Sequence, residues 1–175
     1  PNSASEVNNN NYFGVQGGGV ETDAACMYNE RVFFRNGVLY HNSRVRIRDI
    51  TDGTSHTFLL GETRYLPIKG HRAGTGHGTG WGGWADTGRI HSSPSPSILA
   101  AALDGINFYP GSGGDLNTTI GVDFWFKMSR LFSSFHPGGC HFAMADGSVH
   151  FLSEEMDLAT YRQMGNRKDG LPVVG

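Results

Sequence analysis

The sequence predicts an α+β fold, built mainly from antiparallel β-strands with short helices and long glycine-rich loops. Three observations carry this prediction. Short apolar runs flank the tight-turn dipeptides Asn36-Gly37 and Asp146-Gly147, which are typical of β-hairpins. An amphipathic stretch near residues 157–164 is typical of a short helix. Glycine accounts for 26 of 175 residues, about twice its usual share. We expect residues 1–175 to form one domain.

Composition and charge argue against several classes of protein. Hydrophobic residues make up 38% of the chain, which is too apolar for a disordered protein. The formal net charge of −2 provides no basic surface for phosphate backbones, so we expect no nucleic-acid partner. No stretch reaches the roughly 18 to 20 consecutive apolar residues that span a bilayer.

The first part of the chain contains a predicted hairpin. Residues 1–30 are polar and rich in Asn and Gly, and we interpret them as a surface arm with one short strand. Apolar β-formers at 32–34 and 38–40 flank Asn36-Gly37. This dipeptide favours the positive φ angles of a tight turn.

Two further strands are predicted before the glycine-rich region. Residues 45–48 alternate apolar and charged side chains, which is typical of a half-buried strand or strand end. Residues 49–55 are dense in side chains that hydrogen-bond their own backbone, so we expect a turn there. A buried strand over residues 57–60 follows and ends at Gly61-Glu62.

The middle of the chain is predicted to be mostly loop. Residues 70–88 contain eight glycines together with Trp81 and Trp84, and one long irregular loop accounts for them. The alanines after Ser97 favour a short helix over residues 98–103. Residues 122–126 are branched and aromatic, as in a strand.

A second hairpin is predicted around Asp146-Gly147. Two β-compatible runs, 140–145 and 148–152, flank this dipeptide. A two-residue turn places residue 145 opposite residue 148 and Gly139 opposite residue 154. Gly147 permits the positive φ of the second turn position, and Asp146 tolerates the positive φ of the first.

The predicted helix near residues 157–164 rests on periodicity and capping. Leu158, Tyr161 and Met164 recur on one face of a helix. Asp157 is suited to cap its start, and Gly165 is placed to end it.

The chain has two cysteines, Cys26 and Cys140, and neither belongs to a Cys-x-x-Cys pair. The pattern therefore argues against a zinc ribbon or a thioredoxin-type site. One pair at long separation suits a single disulfide in an oxidising compartment, and it also suits two separate buried thiols. We predict the disulfide, which would contribute about 4 to 5 kcal/mol in the chain-entropy model.

Two segments resemble a known family. His136 and Asp146-Gly147 enclose nine residues, which is similar to the His-x9-Asp-Gly signature of a pseudopilin-like family abundant in planctomycetes. Upstream, residues 52–57 and 61–62 resemble the Asp-Gly-Thr-Ser-Asn-Thr and Gly-Glu segments of that family, with His56 in place of the usual Asn. The matching residues are Asp52, Gly53, Thr54, Ser55, Glu62, His136, Gly138, Gly139, Asp146, Gly147 and Ser148.

The resemblance implies both a fold and a role. The family resembles the major pseudopilin of type II secretion, in which a cleaved signal and a long hydrophobic helix precede a β-rich head outside the cytoplasmic membrane. The chain begins at Pro1, and we expect those segments to precede it. The implied role is a structural subunit of a type IV pilus, a type II secretion-like pseudopilus or another cell-envelope assembly.

The resemblance also implies partners and a location. Partners would be copies of the same chain or related pseudopilins, and the inner membrane through the N-terminal helix. The location would be extracytoplasmic, which means periplasmic, cell-surface or extracellular. The family brings no established catalytic residues.

Two other functions are weighed on the residues themselves. A hydrolase could use His136, Asp146 and Ser148, but no Gly-x-Ser-x-Gly elbow is present, and a Ser after a turn more naturally caps backbone. An extracellular ligand- or carbohydrate-binding module could stack a sugar on Trp81 and Trp84. Aromatic residues in glycine-rich loops more often cover a small core, so we expect a non-catalytic structural protein.

Calcium is the metal that the sequence favours. It takes carboxylate and backbone oxygens from loops rich in Gly and Asp, and major pseudopilins use it as a class. The candidate ligands are Asp52, Glu62 and Asp146, and the alternative is a set of ordinary Asx turns. A zinc ion shared by His136 and His141 is disfavoured, because an odd offset along a strand places two side chains on opposite faces.

We expect separate structural roles for His136 and Asp146. The turn that contains His136 lies at the open end of the predicted hairpin, so a direct bond to Asp146 is disfavoured. His136 would hold the entering loop against residues 52–62. Asp146 would fix its own turn by accepting hydrogen bonds from the backbone.

Overall fold

The computed structural model describes residues 11–28, 31–63, 98–108 and 128–171. Within these ranges the chain forms two sheets and one α-helix, so the α+β prediction is confirmed. The strands are β1 Tyr12–Gly18, β2 Cys26–Tyr28, β3 Arg31–Phe33, β4 Phe58–Glu62, β5 Leu99–Ala102, β6 Gly139–Met144 and β7 Val149–Ser153, and the helix α1 is Leu158–Met164. No helix in the described ranges is long and apolar enough to cross a membrane.

The main sheet has the strand order β5-β1-β4-β6-β7. Its neighbouring strands are antiparallel except for β1 and β5, which are parallel. Strands β2 and β3 form a separate antiparallel pair. Antiparallel pairing therefore dominates, as predicted.

Helix α1 covers one face of the main sheet. The ring of Tyr161 lies 5.8 Å from the ring of Phe58 and 6.1 Å from that of Phe142. Phe58 and Phe142 stack on each other at 4.4 Å. All three side chains are fully buried, and burial of a side chain of this size stabilises a fold by about 1.5 to 3 kcal/mol. This aromatic cluster is the centre of the core.

The helix forms where the sequence predicts it. Asp157 is its N-cap, and the Asp157 carboxylate accepts a hydrogen bond from the N–H of Thr160 at 2.7 Å. Tyr161 and Met164 are buried, whereas Leu158 is exposed. The helix ends at Gly165, which keeps a right-handed conformation.

Residues 99–102 form strand β5, so the predicted helix over residues 98–103 is wrong. Ala100 and Ala102 belong to the core beneath α1, while Ala101 packs with Val32 and Phe34 on the other side of the strand. All three alanines are fully buried. Because both faces of β5 are covered and β1 pairs with it, tertiary packing overrides the helix propensity of alanine.

Strand β1 lies inside the main sheet, between β4 and β5, so the prediction of a surface arm is wrong for residues 12–18. Residues 1–10 lie outside the described ranges. One of the glycines that suggest a loop instead makes room for the helix: a Cβ on Gly18 would overlap the carbonyl oxygen of Arg162. The polar Gln16 is also buried, and its Nε2 donates to the Val32 oxygen at 2.9 Å.

No hairpin forms at Asn36-Gly37, which corrects that prediction. Strand β3 pairs with β2 instead, and residues 36–39 lie beside β1. The Gly37 N–H donates to the Gln16 oxygen at 3.0 Å, and the Leu39 N–H donates to the Val15 oxygen at 3.1 Å. Glycine is required at 37 because a Cβ would lie 2.5 Å from the Gln16 carbonyl carbon.

The hairpin at Asp146-Gly147 is confirmed, but its turn has three residues rather than two. Ala143 pairs with Val149, so the predicted register is shifted by one. The Gly147 N–H donates to the Met144 oxygen at 3.0 Å, and Gly147 alone in this turn has a positive φ, of 88°. This arrangement is the three-residue loop with a left-handed glycine at its end.

Four other predictions concern strands at 45–48, 57–60 and 122–126 and the loop at 70–88. The buried strand before Gly61-Glu62 is confirmed as β4. Residues 45–48 form no strand, because the Asp49 carboxylate accepts from the Arg46 N–H at 2.8 Å and favours a 3₁₀ turn at Ile47–Asp49. The loop at 70–88 and the strand at 122–126 lie outside the described ranges.

Cys26 and Cys140 are not joined by a disulfide, so that prediction is wrong. Cys26 is exposed on β2 of the small sheet, whereas Cys140 is buried on β6 of the main sheet. The Cys140 side chain packs into the core beneath α1. One thiol therefore lies at the surface and the other in the core.

Candidate functional site

The two sequence motifs lie on neighbouring strands. Strands β4 and β6 pair antiparallel, with Leu60 opposite Ala143 and Gly61 opposite Phe142. Motif residues therefore gather at both ends of one strand pair. The first end holds the turns at 52–55 and 146–148, and the second end holds Glu62 and His136.

At the first end, the two turns are hydrogen-bonded to each other. The Asp146 N–H donates to the Thr54 oxygen at 3.1 Å, and the Ala145 N–H donates to the Thr57 oxygen at 2.8 Å. Gly53 has a φ of 98°, which favours glycine at this position. The motif residues of this end thus continue the pairing of β4 with β6 beyond the strands.

Asp52 connects the same turn to the chain after α1. Its carboxylate accepts hydrogen bonds from the N–H of Asp169 at 2.6 Å and of Gly170 at 3.1 Å. Burial and the charge of Asp52 raise the pKa of the Asp169 carboxyl, while a hydrogen bond from the Leu171 N–H opposes this shift. Ser55 is more peripheral, with its hydroxyl 3.2 Å from His56 Nδ1 at the exposed surface.

Ser148 makes a polar contact that the sequence does not predict. Its hydroxyl donates to Asp146 Oδ1 at 2.7 Å and lies 3.0 Å from His150 Nε2. Hydrogen bonds from the N–H and hydroxyl of Ser148 lower the pKa of Asp146. This agrees with the expectation that Asp146 fixes its own turn.

The contact does not have the geometry of a hydrolase triad. In such a triad the serine hydroxyl donates to the histidine, and the acid binds the other ring nitrogen. Here the single hydroxyl proton goes to Asp146, so Ser148 can only accept a hydrogen bond from His150. Asp146 and Ser148 follow the last residue of β6, whereas His136 precedes the first residue of β6 and contacts Glu62.

The second end of the strand pair brings Glu62, His136 and His141 together. Glu62 Oε2 accepts from the His141 N–H at 2.8 Å and lies 3.2 Å from His141 Nδ1. Glu62 Oε1 lies 3.6 Å from His136 Nε2. The two imidazole rings meet edge to face at 5.0 Å. His136 therefore contacts the segment against which the sequence predicts it to lie.

The arrangement corrects the argument that His136 and His141 point to opposite faces. That argument requires both residues to lie on one strand, but β6 begins at Gly139 and His136 precedes it. The His136 N–H donates to Ser134 Oγ at 3.1 Å, and Gly138 has a φ of 81°. This turn places the His136 ring beside His141.

The carboxylate and the imidazoles of this cluster differ in environment. The side chain of Glu62 is 12% exposed, whereas those of His136 and His141 are 56% and 38% exposed. Burial raises the pKa of Glu62, but hydrogen bonds from the His141 N–H, Ser134 and the His141 ring outweigh this effect. The pKa of Glu62 is therefore lowered, and the site presents an anionic carboxylate beneath two accessible imidazoles.

Of the three calcium candidates, only Glu62 belongs, within the described ranges, to a cluster of side chains that could together hold a metal ion. Its neighbours there are the nitrogen ligands of His136 and His141, with all donor atoms within 4.8 Å of one another. Asp52 and Asp146 accept backbone hydrogen bonds elsewhere. Calcium prefers oxygen ligands, and calcium binding stays a prediction.

Trp81 and Trp84, the candidates for ligand binding, lie outside the described ranges. Ligand binding through that loop therefore stays a prediction as well.

Comparison with known proteins identifies one family. A family model described as "Protein of unknown function (DUF1559)" matches residues 3–159. This match includes all seven described strands and both motifs. No curated protein and no solved structure matches the chain.

Proposed function

This chain belongs to the family described as protein of unknown function (DUF1559), and from that premise we propose that it is the head of a pseudopilin-like structural subunit. The subunit would join a type IV pilus, a type II secretion-like pseudopilus or another cell-envelope assembly. Its head would face outward from the cytoplasmic membrane. Its partners would be copies of itself or related pseudopilins.

The use of the motif residues supports a structural role. Asp52, Asp146 and Glu62 each accept backbone hydrogen bonds that join segments distant in sequence or close a turn. The Glu62 bond joins β4 to β6, the Asp146 bond closes the β6–β7 turn, and the Asp52 bonds tie the turn at 52–55 to the chain after α1. A subunit that is repeated in an assembly needs a head of fixed shape, and the motif serves that need. This is the observation on which the proposal chiefly rests.

The hydrogen bonding of Ser148 supports a non-catalytic role. Its hydroxyl proton is directed to Asp146 rather than to a histidine base. A serine nucleophile requires a base that accepts this proton. The turn is therefore better suited to holding the hairpin than to attacking a substrate.

One face of the main sheet supports assembly with neighbouring copies. Tyr12 pairs with Glu62, Phe151 with His141 and Val149 with Ala143, so these side chains share one face. Tyr12, Val149 and Phe151 are 48%, 65% and 49% exposed. Exposed apolar patches of this kind commonly mark protein interfaces.

The experiment is to express the full-length gene with a prepilin peptidase and to follow processing, location and cross-linking between copies. We expect a processed protein outside the cytoplasm, with cross-links between copies. Phe151→Asp should reduce the cross-linked fraction at least about fivefold, because it places a charge in the proposed interface. Ile47→Asp is the matched control, since Ile47 is 77% exposed and lies on a 3₁₀ turn outside the sheet.

An unprocessed protein that stays in the cytoplasm would contradict the proposal. Equal loss of cross-linking in Phe151→Asp and Ile47→Asp would refute this sheet face as the interface.

A further inference from the structure

The second end of the β4–β6 pair combines the side-chain types that bind zinc, which are imidazole and carboxylate. We propose that Glu62, His136 and His141 form a binding site for one divalent transition-metal ion, with zinc as the expected ion. This inference goes beyond the proposed assembly role and does not depend on it.

The distances fit a tetrahedral ion. Ligands bound at about 2.0 to 2.1 Å from tetrahedral zinc lie about 3.3 Å from one another. The Glu62 oxygens lie 3.2 Å from His141 Nδ1 and 3.6 Å from His136 Nε2. All three donor atoms lie within 4.8 Å of one another. The widest separation would therefore have to shrink by up to about 1.5 Å, which movements of the two exposed imidazoles can supply.

The carboxylate is already held in place by the fold. Glu62 Oε2 accepts from the His141 N–H at 2.8 Å, and Ser134 also donates to this carboxylate. Such contacts to a ligand fix its orientation and strengthen metal binding. The imidazoles are on the accessible side of the carboxylate, so an ion can enter from solvent.

The ligand types select among metals. Imidazole suits zinc, copper, nickel and iron, whereas calcium and magnesium prefer a set made wholly of oxygen. Three protein ligands leave one position of a tetrahedral ion open. The bound ion would join β4, β6 and the turn at 134–138, so it should also stabilise the fold.

The first experiment measures binding by the chain purified without a histidine tag and freed of metal with a chelator. We expect one equivalent of Zn²⁺ by titration calorimetry and a rise in melting temperature with added Zn²⁺. Co²⁺, used as a spectroscopic substitute, should give the visible absorption of a four-coordinate site. A large excess of Ca²⁺ should leave Zn²⁺ binding unchanged.

Variants then assign the ligands. His136→Ala and His141→Ala should each weaken Zn²⁺ binding at least tenfold. His150→Ala is the matched control, because His150 is an exposed histidine on β7 beside Ser148 and outside the cluster. It should bind Zn²⁺ like the unaltered chain. Glu62 is mostly buried, so Glu62→Gln could fail for reasons of folding. His136 is more than half exposed, so replacing it leaves the core intact and tests the site directly.

Three results would overturn the proposal. These are no binding of Zn²⁺ at tens of micromolar, binding that His136→Ala and His141→Ala leave unchanged, and displacement of Zn²⁺ by Ca²⁺. None of them bears on whether full-length copies assemble, so the two proposals fail separately.

Discussion

The side-chain amide of Asn36 hydrogen-bonds to the backbone at the end of β1. Its Nδ2 donates to the Gly18 oxygen at 2.7 Å, and its Oδ1 accepts from the Gly18 N–H at 3.3 Å. Gly18 is the buried last residue of β1. One side chain thus satisfies both backbone groups of a buried residue, and this explains Asn at 36 without a hairpin.

Replacing Asn36 should therefore destabilise the end of β1. We expect Asn36→Ala to lower the free energy of unfolding by about 1 to 3 kcal/mol, because two buried backbone groups lose their partner. Urea denaturation measures the change. Asn11→Ala is the control, since Asn11 is an exposed asparagine just before β1. Equal stability of the two variants would show that the Asn36 bonds contribute nothing.

Asp157 makes the stability of α1 depend on pH. Hydrogen bonds from the N–H and hydroxyl of Thr160 lower the pKa of Asp157 below its ordinary value of 3.8. A carboxyl whose pKa is lowered on folding stabilises the fold above its unfolded pKa, and this contribution is lost as pH falls through the folded pKa. The loss should therefore begin near pH 4 and continue below it.

The variant Asp157→Asn keeps a capping oxygen but does not ionise. We expect the melting temperature of the unaltered chain to exceed that of Asp157→Asn at neutral pH, and the difference to shrink as pH falls below about 4. Thermal melts of both proteins across this range measure it. A difference that stays constant with pH would contradict the assigned role of the carboxylate.

At the scale of elements, the β4–β6 pair depends on a glycine. A Cβ on Gly61 would overlap the Phe132 ring and lie 2.6 Å from Phe142 Cε1. The Phe132 and Phe142 rings meet edge to face at 5.2 Å. Gly61 thus leaves the space that these two aromatic rings fill.

We expect Gly61→Ala to lower the free energy of unfolding by about 1 to 3 kcal/mol, because the added methyl group forces the two rings apart. Denaturant titration provides the measurement. Gly105→Ala is a suitable control, since its Cβ would meet Phe108 at an ordinary 3.8 Å. If both glycine variants were equally stable, the rings would have to move aside at no cost.

For the molecule as a whole, the two cysteines report on folding. Cys26 is exposed and Cys140 is buried in the core. We expect an alkylating reagent to modify one thiol in the native protein and both thiols in denaturant. A reductant should leave the melting temperature unchanged. Mass spectrometry after labelling counts the modified thiols. If no thiol were modified in denaturant without reductant, the two cysteines would have to be joined by a disulfide after all.

The candidate cluster shows why part of the site was beyond sequence reasoning. Glu62 and His136 are recognisable from the motifs, and contact between His136 and the segment that ends at Glu62 was predicted. The position of His141 beside them is not predicted by the sequence, because it depends on where β6 begins and on the turn made by Gly138. Because side chains alternate along a strand, a shift of one residue reverses the face that a histidine occupies.

Local interactions account for the features that could be predicted. The left-handed glycine at 147, the cap at Asp157 and the turn at 52–55 each depend on neighbours a few residues away, so the sequence carries their signal. The apolar run of β4 is similarly recognisable, because a short continuous apolar run that ends at a turn or a glycine is typical of a buried strand.

Long-range pairing accounts for the rest. The alanines of β5 become a strand only because β1 pairs with them and both faces are buried. Gly18 of β1 lies in the interior because α1 approaches its backbone, while Gly17 is needed because Phe34 and Asn36 pack against it. Intrinsic preferences of about 1 kcal/mol per residue or less yield to such burial. Local preferences therefore specify the cap at Asp157 and the turn at Gly147, but they fail at Asn36-Gly37. The partners of each strand, and with them the Glu62, His136 and His141 cluster, are specified by packing between distant segments.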